Sequence, residues 1–200
     1  MTLVKQYFGW GLLVLLMAIV ELPFLQLKQY FYFDQQYVEL GQVWRIVTTH
    51  LVHMNLTHFA MNFLGLAIIA WVGPRWLTDW RALPFNLWLF LLVGYGIWEV
   101  AKADPAFNAY FGFSGVLYGW LVVALAFAPN YSIPIRILAA GFISAKVLLE
   151  QIPGFSFVAT DAAIGAPVMV QAHLFGLLGA IIVMPILWRL FIKPARATPQ

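Results

Sequence analysis

The chain has 200 residues, of which 63% are hydrophobic and 10% charged, with a mean hydropathy of +0.85. A soluble domain carries about 25% charged residues, so this chain cannot cover a globule with polar groups and its solvent must be largely lipid. The net charge of +3 is no nucleic-acid signature, because the basic residues sit at the ends of apolar runs; with no cysteine there is no disulfide and no thiolate metal site.

In chain order, six segments approach the roughly 20 apolar residues needed to span hydrocarbon: residues 8–27, 56–72, 84–100, 112–128, 133–152 and 168–192. The N-terminus starts like a signal peptide, with Lys5 before an apolar run. Glu21 and Pro23 stand where a small-residue cleavage site would follow, so a retained helix is expected. Residues 193–200 read as a solvated tail, and the whole of 1–200 as one all-α membrane domain without repeat or linker. If all six segments span, Lys5, Arg75, Arg81, Arg136, Arg189, Lys193 and Arg196 share one side. Lys28, Arg45 and Lys102 share the other with Asp34, Glu39, Asp104 and Asp161. The positive-inside rule then puts both termini in the cytoplasm. Residues 28–55 and 153–167 face outward; the first carries Tyr30, Tyr32, Phe33, Tyr37 and Trp44, and a partly embedded loop with short helices is expected there.

Polar groups inside lipid are costly and point to function. His58 and Asn62 open the second segment, Ser114 the fourth and His173 the sixth. With this topology all four lie near the outer face, so three helices deliver a hydroxyl, two imidazoles and an amide to one layer. A serine needs a base to become a nucleophile, and a neutral histidine serves near pH 7. His58 and Asn62 are four apart, share a helix face, and suit an oxyanion that needs preorganised donors. The fourth and sixth segments contain no carboxylate, so a Ser114–His173 dyad is expected, with Tyr118 packing on the imidazole. Gly115 and Gly119, and Gly176 and Ala180, form small-xxx-small pairs that let those helices approach closely.

The bland alternatives are a serine bonded to its own helix backbone and a packing histidine. His50, His53 and His58 lack a His-Glu-x-x-His motif, so no metal is expected. Lys146 and Glu150, four apart, read as a structural ion pair. Glu21 and Glu99 read as helix-end groups reaching toward water, and Trp44-Arg45 as an interfacial anchor.

These residues resemble the rhomboid intramembrane serine proteases. Trp44-Arg45 resembles the family's first-loop motif, and His53-x4-His58-x3-Asn62 its second-helix motif. Gly112-Phe113-Ser114-Gly115 with Tyr118 resembles its nucleophile motif, and Ala172-His173-Leu174-Phe175-Gly176 its sixth-helix motif. One departure is Ala180, where the family usually has glycine. The resemblance implies a six-transmembrane-helix rhomboid-like bundle, a minimal core without extra domain or seventh helix. It implies no cofactor, and single-pass membrane protein substrates cleaved near or within a transmembrane segment. Lys146, Glu150-Gln151 and Gly165-Ala166-Pro167 are similar to the rhombosortase branch. That likeness implies removal of a Gly-Gly-containing C-terminal sorting tail at a bacterial inner membrane, with the active site facing the periplasm. The competing functions are a catalytically inactive rhomboid-like binding protein and a small transporter; the latter calls for inverted repeats or broken paired helices, which the sequence lacks. Nothing in it fixes an oligomeric state.

Overall fold

The computed structural model describes residues 3–104, 106–107, 109–155 and 158–191. The tail expected at 193–200 lies outside them. The described residues form a helical bundle with one two-stranded ribbon.

Helix α1 runs Leu3–Glu21, not to residue 27. Pro23 disfavours helical geometry at the residue before it: Leu22 is extended (φ −65°, ψ 116°), a short 3-10 turn follows at Pro23–Leu25, and Gln26 is left-handed (φ 50°).

The aromatic segment 28–55 is built from short pieces, as its composition suggested. These are α2 (Lys28–Phe31), β1 (Phe33–Asp34), α3 (Gln35–Glu39) and α4 (Arg45–Thr48), followed by a 3-10 turn at Thr49–Leu51. Arg45 holds them together. It is buried, and its guanidinium donates to the carbonyls of Tyr32 (2.8 Å) and Gln29 (2.9 Å) and to Gln42 Oε1 (2.8 Å). This corrects the reading of Arg45 as an interfacial anchor: isolated carbonyls of a folded-back loop need donors, and one fork supplies three. Trp44 is exposed and donates to the Tyr30 carbonyl at 3.1 Å.

Helix α5 (Leu56–Val72) is capped by Asn55, whose side chain accepts from His58 N at 2.8 Å, and it ends at Gly73 before Pro74. α6 spans Leu83–Ala103. β2 (Ala109–Tyr110) pairs antiparallel with β1, Phe33 opposite Tyr110. Next come α7 (Ser114–Ala126), α8 (Ile133–Leu149), α9 (Val158–Ile164) and α10 (Val170–Phe191). α9 falls within the stretch 153–167, where the sequence predicts a loop.

α7 is the central helix, packed by α5, α6, α8 and α10. Trp120 on it is fully buried and donates from Nε1 to Asn86 Oδ1 on α6 at 2.7 Å. The closest packing is with α10. A Cβ on Gly115 would lie 2.7 Å from the Ala172 carbonyl oxygen, and one on Gly119 2.7 Å from that of Gly176. Only residues without side chains permit this approach. Ala180 is buried on α10.

The outside of the bundle is apolar: Leu64, Trp71, Leu138, Phe142, Ile182 and Leu190 are all exposed. Among the described residues, two helical stretches, Trp80–Ala103 and Val170–Phe191, are long and apolar enough to cross a membrane. A third counts if Arg45–Leu51 and Leu56–Val72, bent by 86°, are one broken span.

Candidate active site

The turn before α7 sets the site. Gly112 has φ +123°, a conformation that side chains resist, and its N–H bonds the Thr49 carbonyl at 3.2 Å. A Cβ there would meet the His58 ring, 2.6 Å from Cε1 and 2.9 Å from Nε2. Glycine thus lets the chain turn into α7 with the His58 imidazole against it. Ser114 follows as the first residue of α7, where free N–H groups and the helix dipole favour negative charge.

Ser114 Oγ lies 3.1 Å from His173 Nε2, across the tight α7–α10 contact. The Tyr118 ring, one turn on, packs against the imidazole with centroids 4.3 Å apart. A cavity of about 250 Å³ opens on these groups and is also lined by His58, Asn62, Lys146 and Glu150. A second, about 310 Å³, shares Ser114 and His58 and extends between Phe111 and the 164–169 stretch. The five residues singled out for chemistry, from α5, α7 and α10, therefore line one cavity.

The donor side has two features. Asn62 is buried, and its Nδ2 has no hydrogen-bond partner among the described residues. An orphan buried donor is costly unless something else occupies the cavity it lines. His58 Nδ1 is 3.5 Å from Met54 N and is placed to accept from it, which leaves Nε2 as the protonated nitrogen.

Several groups behave differently from the sequence reading. A carboxylate does reach the His173 imidazole, from the end of α8 rather than from α7 or α10: Glu150 Oε2 is 2.9 Å from His173 Nδ1. Its other oxygen is 2.5 Å from Lys146 Nζ, which also bonds the Tyr118 hydroxyl. The i,i+4 spacing showed the ion pair, but which way an intramembrane pair faces depends on helix rotation. Glu21 turns inward rather than toward water. It accepts from His53 N at 2.8 Å and pairs with Lys28 at 2.5 Å, because Lys28 itself folds back to the His53 carbonyl. Glu99 pairs with Lys102 at the exposed end of α6. His50 is fully buried between the Phe90 and Gly112 carbonyls. Tyr110 was not singled out by sequence. Its buried hydroxyl lies beside Ser114, and burial holds its ionisation up at about 12, so it stays protonated.

A helical bundle with an apolar exterior and a cavity lined by a serine and a histidine in contact belongs to the class of membrane-embedded proteins with an internal site. The Rhomboid domain matches residues 40–190, and the chain belongs to that family, whose members are generally serine intramembrane proteases acting on membrane proteins within the bilayer. No curated protein matches the chain.

Proposed function

We propose that this chain is an active intramembrane serine endopeptidase, with Ser114 as nucleophile and His173 as general base. The observation that carries the reading is the 3.1 Å contact between Ser114 Oγ and His173 Nε2. In the first step Oγ attacks the scissile carbonyl carbon while its proton passes to Nε2. The carbonyl electron pair becomes an oxyanion, which His58, Asn62 and the N–H groups opening α7 stabilise. Collapse breaks the C–N bond, and the proton on Nε2 goes to the leaving amine. Water then hydrolyses the acyl-enzyme by the same sequence. Gly115, Gly119, Gly176 and Ala180 maintain the helix contact on which the geometry depends.

The proposed topology has six spans, α1, α5, α6, α7, α8 and α10, within one rhomboid-like domain. α7 has 13 residues, about 20 Å at 1.5 Å per residue, shorter than the roughly 30 Å hydrocarbon core. A helix that short starts below the membrane face, which recesses Ser114 among protein groups. Arg75, Arg81, Arg136 and Arg189 mark the cytoplasmic side, with both termini; Ser114, His58 and His173 face the periplasm of a bacterial inner membrane.

The substrate reading is a single-pass membrane protein, of the rhombosortase kind: an exported protein with a Gly-Gly pair before a C-terminal helix and basic end. Glycines resist helix, and an extended scissile segment is what a buried serine needs. No metal or cofactor takes part.

The test is cleavage of such a substrate by purified protein in liposomes, beside a second single-pass substrate without the Gly-Gly pair. Cleavage at the tail, lost in Ser114→Ala and in His173→Ala, is expected. Equal cleavage of both substrates would remove the sortase specificity. A folded wild-type protein that binds a substrate but cuts neither would make it an inactive rhomboid-like binder.

A further inference from the structure

The two nitrogens of His173 are engaged at once. Nε2 is 3.1 Å from Ser114 Oγ, and Nδ1 is 2.9 Å from Glu150 Oε2. An ionised carboxylate only accepts hydrogen bonds. The second contact is therefore a hydrogen bond when Nδ1 carries the proton, and that tautomer leaves the Nε2 lone pair facing the serine hydroxyl.

The fold delivers Glu150 to this position. α8 ends at Leu149 and Glu150 is its C-cap residue, so the side chain is free to cross toward α10. Gln151 secures the crossing, with Nε2 3.0 Å from both the Val147 carbonyl on α8 and the Val170 carbonyl opening α10. Both members of the contact are buried: the side chains of Glu150 and His173 are each 4% exposed. One turn earlier on α8, Lys146 sits 2.5 Å from Glu150 Oε1, over the Tyr118 ring and bonded to its hydroxyl.

A lysine–glutamate pair that served packing alone would be complete with one carboxylate oxygen on the ammonium. Here the second oxygen is spent on the imidazole nitrogen opposite the nucleophile. A carboxylate buried beside a neutral imidazole would also be costly without a cation; Lys146 supplies it, and the cluster of lysine, glutamate and neutral histidine has no net charge.

We propose that Glu150 is a positioning residue for His173, with Lys146 holding it ionised and aimed. It fixes the Nδ1–H tautomer and the ring plane, and its charge stabilises the imidazolium formed when Nε2 takes the serine proton. Glu150 takes no proton itself: the Nδ1 proton stays on the ring, and the one on Nε2 leaves with the amine. This rests on the Ser114–His173 chemistry proposed above and turns the expected dyad into a three-membered relay of contacts. A soluble serine protease whose triad aspartate becomes asparagine loses about 10⁴ in kcat with its geometry intact, because the tautomer is wrong.

The experiment has a spectroscopic and a kinetic arm. In wild-type protein labelled with ¹⁵N-histidine, the ring signals that vanish in His173→Ala should report Nδ1 protonated and Nε2 bare. Glu150→Gln, an isostere, should shift that tautomer and lower kcat by about 10²–10⁴, with KM little changed. Glu150→Asp should recover part of the loss, and Lys146→Met should lower kcat by less than Glu150→Gln. A wild-type His173 ring protonated on Nε2 overturns the assignment. So does a Glu150→Gln protein that loses thermal stability yet keeps its kcat per folded molecule. If Glu150→Gln is fully active while Ser114→Ala is inactive, the Glu150 role alone fails; turnover by Ser114→Ala defeats both readings.

Discussion

Replacing Gly176 by alanine perturbs the contact on which the site depends. A Cβ at Gly176 would enter the Gly115 carbonyl oxygen and lie 2.9 Å from Gly115 C and 3.2 Å from Gly119 N. All three are backbone atoms, so no side chain can swing aside. Non-bonded carbons rest about 3.5–4.0 Å apart, so the 2.9 Å contact must open by about 0.6–1.1 Å. The Ser114 Oγ–His173 Nε2 distance of 3.1 Å spans the same interface, and an opening of that order takes it out of hydrogen-bond range. Overpacking costs about 1–3 kcal/mol, and a misplacement near 1 Å costs about 10²-fold in rate. Helix propensity alone favours alanine over glycine by about 1 kcal/mol, the opposite sign. Gly141→Ala on α8 isolates that propensity effect, since nothing lies within 4 Å of its added Cβ. Thermal unfolding in micelles and kcat on a fluorogenic transmembrane substrate should show Gly176→Ala destabilised and slow, and Gly141→Ala unchanged or slightly stabilised. A Gly176→Ala protein as stable and active as wild type would refute the close-packing argument.

Three further outcomes are expected. Asn62→Ala and His58→Ala should each lower kcat by about 10²–10³, the loss typical of one oxyanion donor. Intact turnover in both would put the oxyanion hole on backbone N–H groups instead. Arg45→Ala leaves the part-buried Tyr32 and Gln29 carbonyls without their donor, at about 0.5–1.5 kcal/mol for each hydrogen bond lost; it should lower the midpoint of thermal unfolding, and an unchanged midpoint would mean water replaces the guanidinium. The chain has no cysteine, so single substitutions at exposed Ala163 on α9 and exposed Asn130 before α8 report topology cleanly. Ala163→Cys should react with an impermeant reagent added outside intact cells and Asn130→Cys should not; the reverse pattern would invert the proposed topology.

How much of this the sequence could carry depended on whether a signal was local. The apolar runs were long enough to locate the helices, and α5 begins and ends where the run predicted. α1 stopped early because Pro23 acts on its neighbour, an effect the hydropathy window averages away. Ser114, His58, Asn62 and His173 stand out in the sequence because polar groups are conspicuous among apolar residues, and the structure lines one cavity with all four. Glu150 was equally visible, but its contact with His173 depends on how α8 rotates about its axis, and α8 is apolar on most of its surface. Arg45 and Glu21 were misjudged for a related reason: a charged group near a helix end can reach for water or fold inward, and the choice is made by carbonyls and histidines distant in sequence. Tyr110 gave no signal, being one aromatic among many until β1 and β2 paired.

The central claim is that Ser114 is a nucleophile activated by His173. The most direct measurement is peptide-mapped mass spectrometry after treating the folded protein in membranes with a fluorophosphonate. A single phosphonyl adduct is expected on Ser114, absent from Ser132, Ser144 and Ser156, and abolished in His173→Ala. A folded wild-type protein that forms no adduct, or forms it on another serine, or labels equally well in His173→Ala, would contradict it.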